Sequence, residues 1–294
     1  MKFWRSTLWT QAEDLLDIAR VAEKVGFHGV NTSDHMVFLE KPLESRYPYS
    51  SDGKAWWNPS THWADTWVSI GAMAAATDKL AFTNAVYILP LRNLFTVAKA
   101  VGTAAVMSDN RVSLGVGIGW QEEEFDLVGE DFQSRGDRCD EMIEVLRLLW
   151  KGGSVEYHGN FYDFGPLVMS PAPTEPVPIY ISGYSKPALR RTARLGDGWI
   201  VGPVGSDAPY TYEDVPGLLQ TIQDHRREAG RENLPFEVMA PGQVSLDIDH
   251  YRMMEDMGVT SVSVILGDPT PPVSLPGQRQ FMEEFADKVI ARMR

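Results

Sequence analysis

Apolar positions along this chain recur with two periods in alternation. Short runs that read as buried strands fall at residues 3–7, 29–33, 80–88, 112–117, 179–182, 198–201, 236–240 and 261–266. Between them lie stretches with helical spacing at 12–25, 63–76, 94–107, 134–150, 186–195, 213–229, 249–257 and 278–294. In the first helix Leu15, Ile18, Ala19, Ala22 and Val25 share one face, and Gly26 follows as the stop. Eight strand and helix pairs in strict order predict an α/β fold, a TIM (β/α)8 barrel occupying residues 1–294 as a single domain.

Two insertions interrupt the alternation. Residues 35–61 after strand two are long and irregular, and residues 152–178 follow the helical region after strand four. The second insertion carries hairpin alternation around His158-Gly159-Asn160 and returns through PAPTEPVP, an extended proline-rich segment. Both are expected to lie over the C-terminal end of the barrel, where such folds carry their chemistry.

Composition narrows the class. The chain has 294 residues, 44% hydrophobic and 23% charged, enough to bury one large core. Its net charge of −13 disfavours nucleic acid and anionic membrane as partners. No apolar run reaches the roughly 18 residues of a membrane span, and the N-terminal stretch MKFWRSTLWTQAEDLL lacks a signal-peptide core, so a cytoplasmic location is expected. The single cysteine, Cys139, sits in a helical pattern and reads as a packed thiol.

Candidate chemistry concentrates at the predicted strand ends. Val112, Leu114 and Val116 form a buried strand in which Gly115, Gly117 and Gly119 remove alternate side chains, either to admit a flat ligand or to allow a tight strand-to-helix turn. The spacing fits a dinucleotide fingerprint poorly, because the third glycine comes early and no acid ends a following strand. Asp34-His35 ends strand two, where a carboxylate beside an imidazole could orient its tautomer. Asn84-Ala85 is a small pair in a bulky strand and suggests a bulge. Ser182-Gly183-Tyr184-Ser185 precedes a helix with Pro187 in its first turn, a place where backbone N–H groups hold phosphate. No metal-binding spacing such as HExxH occurs. Of nine tryptophans, Trp56, Trp57, Trp63 and Trp67 fall in or beside the first insertion, with Tyr47, Tyr49 and Phe38, so the insertion could wall an apolar cavity or pack a small core of its own.

Three blocks together, GVGIGWQEEEF with FQSRGDRCDEMIEVLRLLW, AVYILPLRNLFTVAKAVGTAAVMSDNRVSLGVG, and PIYISGYSKPALRRTARLGDGWI, resemble the luciferase-like monooxygenase superfamily. Within it they are similar to the branch that uses the deazaflavin coenzyme F420. The resemblance covers residues 15–201; beyond Val204 it rests on fold. It implies a homodimeric oxidoreductase with the deazaflavin, or FMN as the alternative, at the barrel mouth. A non-prolyl cis peptide at Asn84-Ala85 would press against the ring, and Gly117, Ile118 and Gly119 would line it. Ser182, Gly183, Tyr184 and Ser185 would hold the phosphate, and His35, with Asp34 beside it, would stand near the reactive carbon. Trp56, Trp57 and Trp63 would contact a small, apolar substrate. Trp120 stands where the family's sugar-phosphate dehydrogenases carry an acid, which sets that reaction in doubt and leaves His35 as the one proton donor in view. A deazaflavin passes two electrons as hydride and activates oxygen poorly, favouring reduction or dehydrogenation. Alternatives are an FMN-dependent monooxygenase, a non-catalytic flavin-binding protein and a metal-dependent barrel hydrolase.

Overall fold

The computed structural model describes all residues except 42, 206–207, 243–244, 267–272 and 294. In chain order the main elements are β1 (Lys2–Ser6), α1 (Leu15–Val25), β2 (Gly29–Thr32), α2 (Thr66–Ala75), β3 (Ala81–Asn84), β4 (Tyr87–Ile88), α3 (Leu94–Met107) and β5 (Leu114–Gly117). They continue with α4 (Glu122–Val128), α5 (Arg135–Trp150), β6 (Ser154–His158), β7 (Asp163–Val168), β8 (Ile179–Ser182), α6 (Lys186–Leu195) and β9 (Gly198–Ile200). The last are α7 (Val215–Glu228), β10 (Glu237–Gly242), α8 (Ile248–Asp256), β11 (Ser261–Val264) and α9 (Leu275–Lys288).

All neighbours in the main sheet are parallel, in the order β3-β2-β1-β11-β10-β9-β8-β5-β4. It has nine strands and eight staves, because the third stave is broken: β3 pairs with β2, while β4 pairs with β5. A parallel bridge between Phe82 and Val112 closes the ladder, with Phe82 N donating to Arg111 O at 2.8 Å and Ser113 N to Phe82 O at 2.9 Å. The predicted TIM barrel is therefore present, and the single strand expected at 80–88 is two short ones around a bulge.

Caps explain where the helices begin and end. The second helix starts at Thr66 and not at Trp63 because the Asp65 carboxylate accepts from Trp67 N and Val68 N. Asn93 and Ser185 cap α3 and α6 in the same way. Gly26 ends α1 at φ 95°, as the sequence suggests. The last helix stops at Lys288 and continues as a short 3-10 turn, Ile290–Arg292; the end expected for it, Arg294, lies outside the described residues. Cys139 is buried in α5, and burial pushes its thiol up to about 12, as suits a packing residue.

The hairpin of the second insertion pairs β6 with β7 around residues 158–163. It packs on the outside of the helix ring. Its tip is fastened to α5, where the buried Glu141 carboxylate accepts from Asn160 N, Phe161 N and Tyr162 N. Its return strand leads along α3, with Phe164 edge-on to Phe95 and Lys99 Nζ bonded to Ser170 O. The insertion leaves from the end of α5 and packs on the outer helices α5 and α3, so the expectation that it forms part of the lid is corrected: among the described residues its side chains meet those helices and not the aromatic insertion. Among the described residues no helix is long and apolar enough to cross a membrane.

Candidate active site

Strand periodicity sorts the barrel lumen into two layers. The lower one is plugged by Trp4, Ile200 and Met239, with Ala81 and Tyr180 against them. Two residues beyond Trp4, Ala81 and Tyr180 the side chains become small or polar, Ser6, Thr83 and Ser182, and Asn31 of β2 and Ser263 of β11 are polar too. Ser263 Oγ donates to Asn31 Oδ1 at 2.9 Å, whereas the buried Thr83 Oγ1 has no hydrogen-bond partner among the described residues. Barrels of this type normally fill such a layer with branched aliphatics. A hydroxyl and amide layer with an orphaned oxygen fits a flat heteroaromatic ring with a polar edge.

The bulge in stave three lies at Ala85-Val86, and that peptide is cis. The expected cis bond was Asn84-Ala85; the structure places it one residue later. Asn84 is fully buried with Nδ2 donating to Thr32 Oγ1, so its side chain braces stave two, while Ala85 faces the lumen cluster. Val86 fills the space that Gly117 leaves open: a Cβ on Gly117 would come within 2.4 Å of Val86 Cγ2. Gly115 is tighter still, with a Cβ only 1.7 Å from Asn84 O, and one on Gly119 would meet Phe125 and Ile88 at 2.8 and 2.9 Å. The glycine run therefore makes room for the protein's own bulge and for α4, as the tight-turn alternative holds. Ile118 packs on the main core.

Asp34 and His35 point to different partners. Asp34 Oδ1 accepts from Arg92 Nη2 at 2.7 Å and Oδ2 from Ile88 N at 3.0 Å. Burial raises the Asp34 pKa and the Arg92 guanidinium opposes that rise. This pair clamps the end of stave two to the exit of the bulge. The expectation that Asp34 orients His35 is thus corrected: His35 Nδ1 lies 3.0 Å from Glu124 Oε2, with side chains 8% and 1% exposed. Glu124 Oε1 also accepts from Met36 N at 2.7 Å. The acid absent at Trp120 arrives one helical turn later. The sequence offers no means of choosing it, because three consecutive glutamates opening a short helix read equally well as partners of the helix dipole.

The first insertion closes over this pair. Trp57 and Trp63 stand 4.4 and 5.0 Å from the His35 ring, and Trp120 stands 6.3 Å away. Tyr47 is buried at the centre of the lid, against Tyr49, Trp56, Trp57 and Trp120. The aromatic insertion packs a core of its own, and that core stands against the imidazole. Trp56 lies at its outer edge, 45% exposed. α4 fastens the lid: Glu123 Oε1 accepts from Glu44 N and Ser45 N, and Ser45 Oγ accepts from Glu122 N.

The 182–185 turn borders the same mouth. Ser182 and Gly183 are half-buried, Gly183 has φ 126°, and Ser185 is exposed. Ser185 Oγ takes the Ala188 N–H and Pro187 has none, so the first turn of α6 offers fewer free donors than its sequence suggests. Tyr184 is buried, its hydroxyl donating to Gly202 O, and its ring meets Tyr49 of the lid. A Cβ on Gly183 would press Ala188 at 2.8 Å, so valine there would disturb the start of α6 as well as any ligand.

These features define a (β/α)8 barrel whose strand C-termini carry an imidazole–carboxylate pair enclosed by an aromatic lid. The sequence profile of the luciferase-like monooxygenase family matches residues 4–283, and the chain belongs to that family of oxidoreductases. It is 35% identical to an uncharacterised protein of Mycobacterium tuberculosis (strain ATCC 25618 / H37Rv) over the full length of both. It is 29% identical to an F420-dependent glucose-6-phosphate dehydrogenase of Nakamurella multipartita, over 83% of this chain and 66% of that one. Its fold matches a solved F420-dependent secondary alcohol dehydrogenase in complex with an F420-acetone adduct, with a TM-score of 0.78, 18% identity and 99% and 98% of the two chains covered.

Proposed function

We propose that the protein is a cytoplasmic oxidoreductase that moves a hydride between coenzyme F420 and a small, apolar organic substrate, with His35 handling the accompanying proton. The observation that carries this reading is the His35 imidazole at the strand C-termini, walled by Trp57, Trp63 and Trp120. A bound deazaflavin supplies two electrons as hydride. The Ala85-Val86 bulge would back its ring, with Asn84 and the Gly117-Ile118-Gly119 segment shaping that bulge from behind, and Ser182, Gly183, Tyr184 and Ser185 would hold its phosphate. His35 gives a proton to the substrate oxygen as hydride reaches carbon, or takes it in the reverse direction. The tryptophans exclude water and so strengthen polar interactions inside the mouth. Asp34 is assigned to shaping the bulge and not to proton transfer.

Cofactor choice is tested by titrating apoprotein with F420 and with FMN and following fluorescence quenching. The deazaflavin is expected to bind more tightly; FMN binding more than tenfold tighter would favour the second reading, an FMN-dependent monooxygenase, for which the family's description speaks.

Trp56, Trp57 and Trp63 would contact the substrate. The lid supplies little cationic charge to meet a phosphate. Arg46 is bonded to Asp52 O, Lys54 is 3.9 Å from the Asp52 carboxylate, and Lys41 is exposed. Enones, quinones and nitroaromatics are therefore expected to be reduced while glucose 6-phosphate is not oxidised. Oxidation of the sugar phosphate alone would defeat this assignment.

A homodimer accords with the adjoining α2 and α3, which expose Val68, Phe95, Val106 and Met107 on their outer faces. Sedimentation equilibrium is expected to give twice the chain mass, and a single-chain mass at micromolar protein would count against it.

A further inference from the structure

Glu124 on α4 contacts the His35 ring, while Asp34, on the end of its own stave, lies close by and pairs with Arg92 beyond the bulge. Asp34 is spent on Arg92 and Ile88 N. Among the described residues no Lys or Arg pairs with Glu124, and its side-chain partner is His35. Its carboxylate is also held in orientation, because Oε1 receives Met36 N at 2.7 Å and Val37 N at 3.5 Å, leaving Oε2 to face the imidazole. The helix beneath it is anchored by the fully buried Phe125, which packs with Ile88 and Leu91. An ionised carboxylate only accepts hydrogen bonds, so the imidazole nitrogen facing it must donate. Nε2 makes no hydrogen bond to any described residue.

We infer that Glu124 is a positioning residue that fixes His35 as its Nδ1–H tautomer and thereby presents Nε2 as the nitrogen that takes or gives the proton. The tautomer follows from the Nδ1 contact with a carboxylate that acts as acceptor; its consequence for turnover rests on the reading that His35 moves the proton. In the oxidative direction, Nε2 would accept the hydroxyl proton of an alcohol while hydride leaves the carbon for the deazaflavin. In the reductive direction the imidazolium returns that proton to the oxygen. The same carboxylate ties Met36, the start of the lid, so the imidazole and the lid entrance share one anchor.

Glu124→Gln gives a distinctive test because it retains the shape and inverts the donor pattern. Met36 N still needs an acceptor, so the amide oxygen must stay on that side. The amide NH2 then faces His35 and requires Nδ1 to accept, which moves the ring proton to Nε2. Nitrogen-15 NMR of the neutral imidazole in apoprotein is expected to show Nδ1–H in the wild type and Nε2–H in E124Q. With F420 and a substrate, kcat of E124Q is expected to fall about 10²-fold with KM and F420 affinity nearly unchanged, and E124D to recover most of that loss.

A wild-type Nε2–H tautomer would overturn the inference, and that measurement stands even if E124Q fails to fold. An E124Q protein with the wild-type tautomer and turnover would overturn it too. Failure of the functional reading looks different: the expected tautomers are observed, but His35→Ala turns over normally or F420 does not bind.

Discussion

Replacing His35 with alanine is expected to lower turnover by about 10²-fold or more while F420 binding is largely retained, the range usual for loss of a general acid or base. The expectation comes from how few alternatives the mouth holds. Asp34 is committed to Arg92 and to a backbone N–H, and Glu124 reaches the ring only from behind, through Nδ1. In the lid, burial pushes both Tyr47 and Tyr49 to weaker acidity. Steady-state kinetics across pH 5 to 9, with a parallel cofactor titration, separate the two effects. Normal turnover at every pH would remove the histidine from the mechanism and leave solvent as the proton source. Weakened cofactor binding with a normal rate at saturation would make it a wall residue.

Much of the barrel is legible because its strands and helices obey different periods and each stave is short. Helix α3 and strand β8 begin and end where the pattern says they should. The departures have local physical causes. Stave three reads as one run because Phe82, Thr83, Val86, Tyr87 and Ile88 are β-formers; the Asn84-Ala85 pair hints at the bulge, but its division into two strands comes from tertiary pairing, with β2 on one side and β5 on the other. The hairpin at 154–168 is legible as a hairpin but not in position, since nothing local announces that Glu141 will bind its tip. At the site, His35 and the aromatic insertion are visible as residue types at a strand end. Their carboxylate partner is not, because Asp34 is adjacent in sequence and Glu124 is 89 residues away. Adjacent residues on an extended chain point apart, so the neighbour was the wrong candidate on geometric grounds.

Gly115→Ala is expected to destabilise the fold by about 3 kcal/mol or more, at or above the usual range for overpacking, because the added methyl meets a carbonyl and not a yielding side chain. A Cβ at this position would lie 1.7 Å from Asn84 O and 2.8 Å from Ile200 Cδ1. Relief requires moving β5 or the end of β3, and these are the strands that close the barrel through the Phe82–Val112 bridge. Interiors are close-packed, so such a shift propagates to the bulge and to Val86 over Gly117. A natural domain has only about 5–15 kcal/mol of stability in total, so the loss is a large share. Gly71→Ala is the matched control: it lies inside α2 with nothing within 4 Å of the new methyl, and should be neutral or stabilising by up to about 1 kcal/mol. Urea unfolding of the two variants beside the wild type gives the comparison. Equal midpoints for Gly115→Ala and the wild type would mean that β5 does not approach the bulge this closely, returning the glycine run to the role of a bare surface kept clear for a ligand.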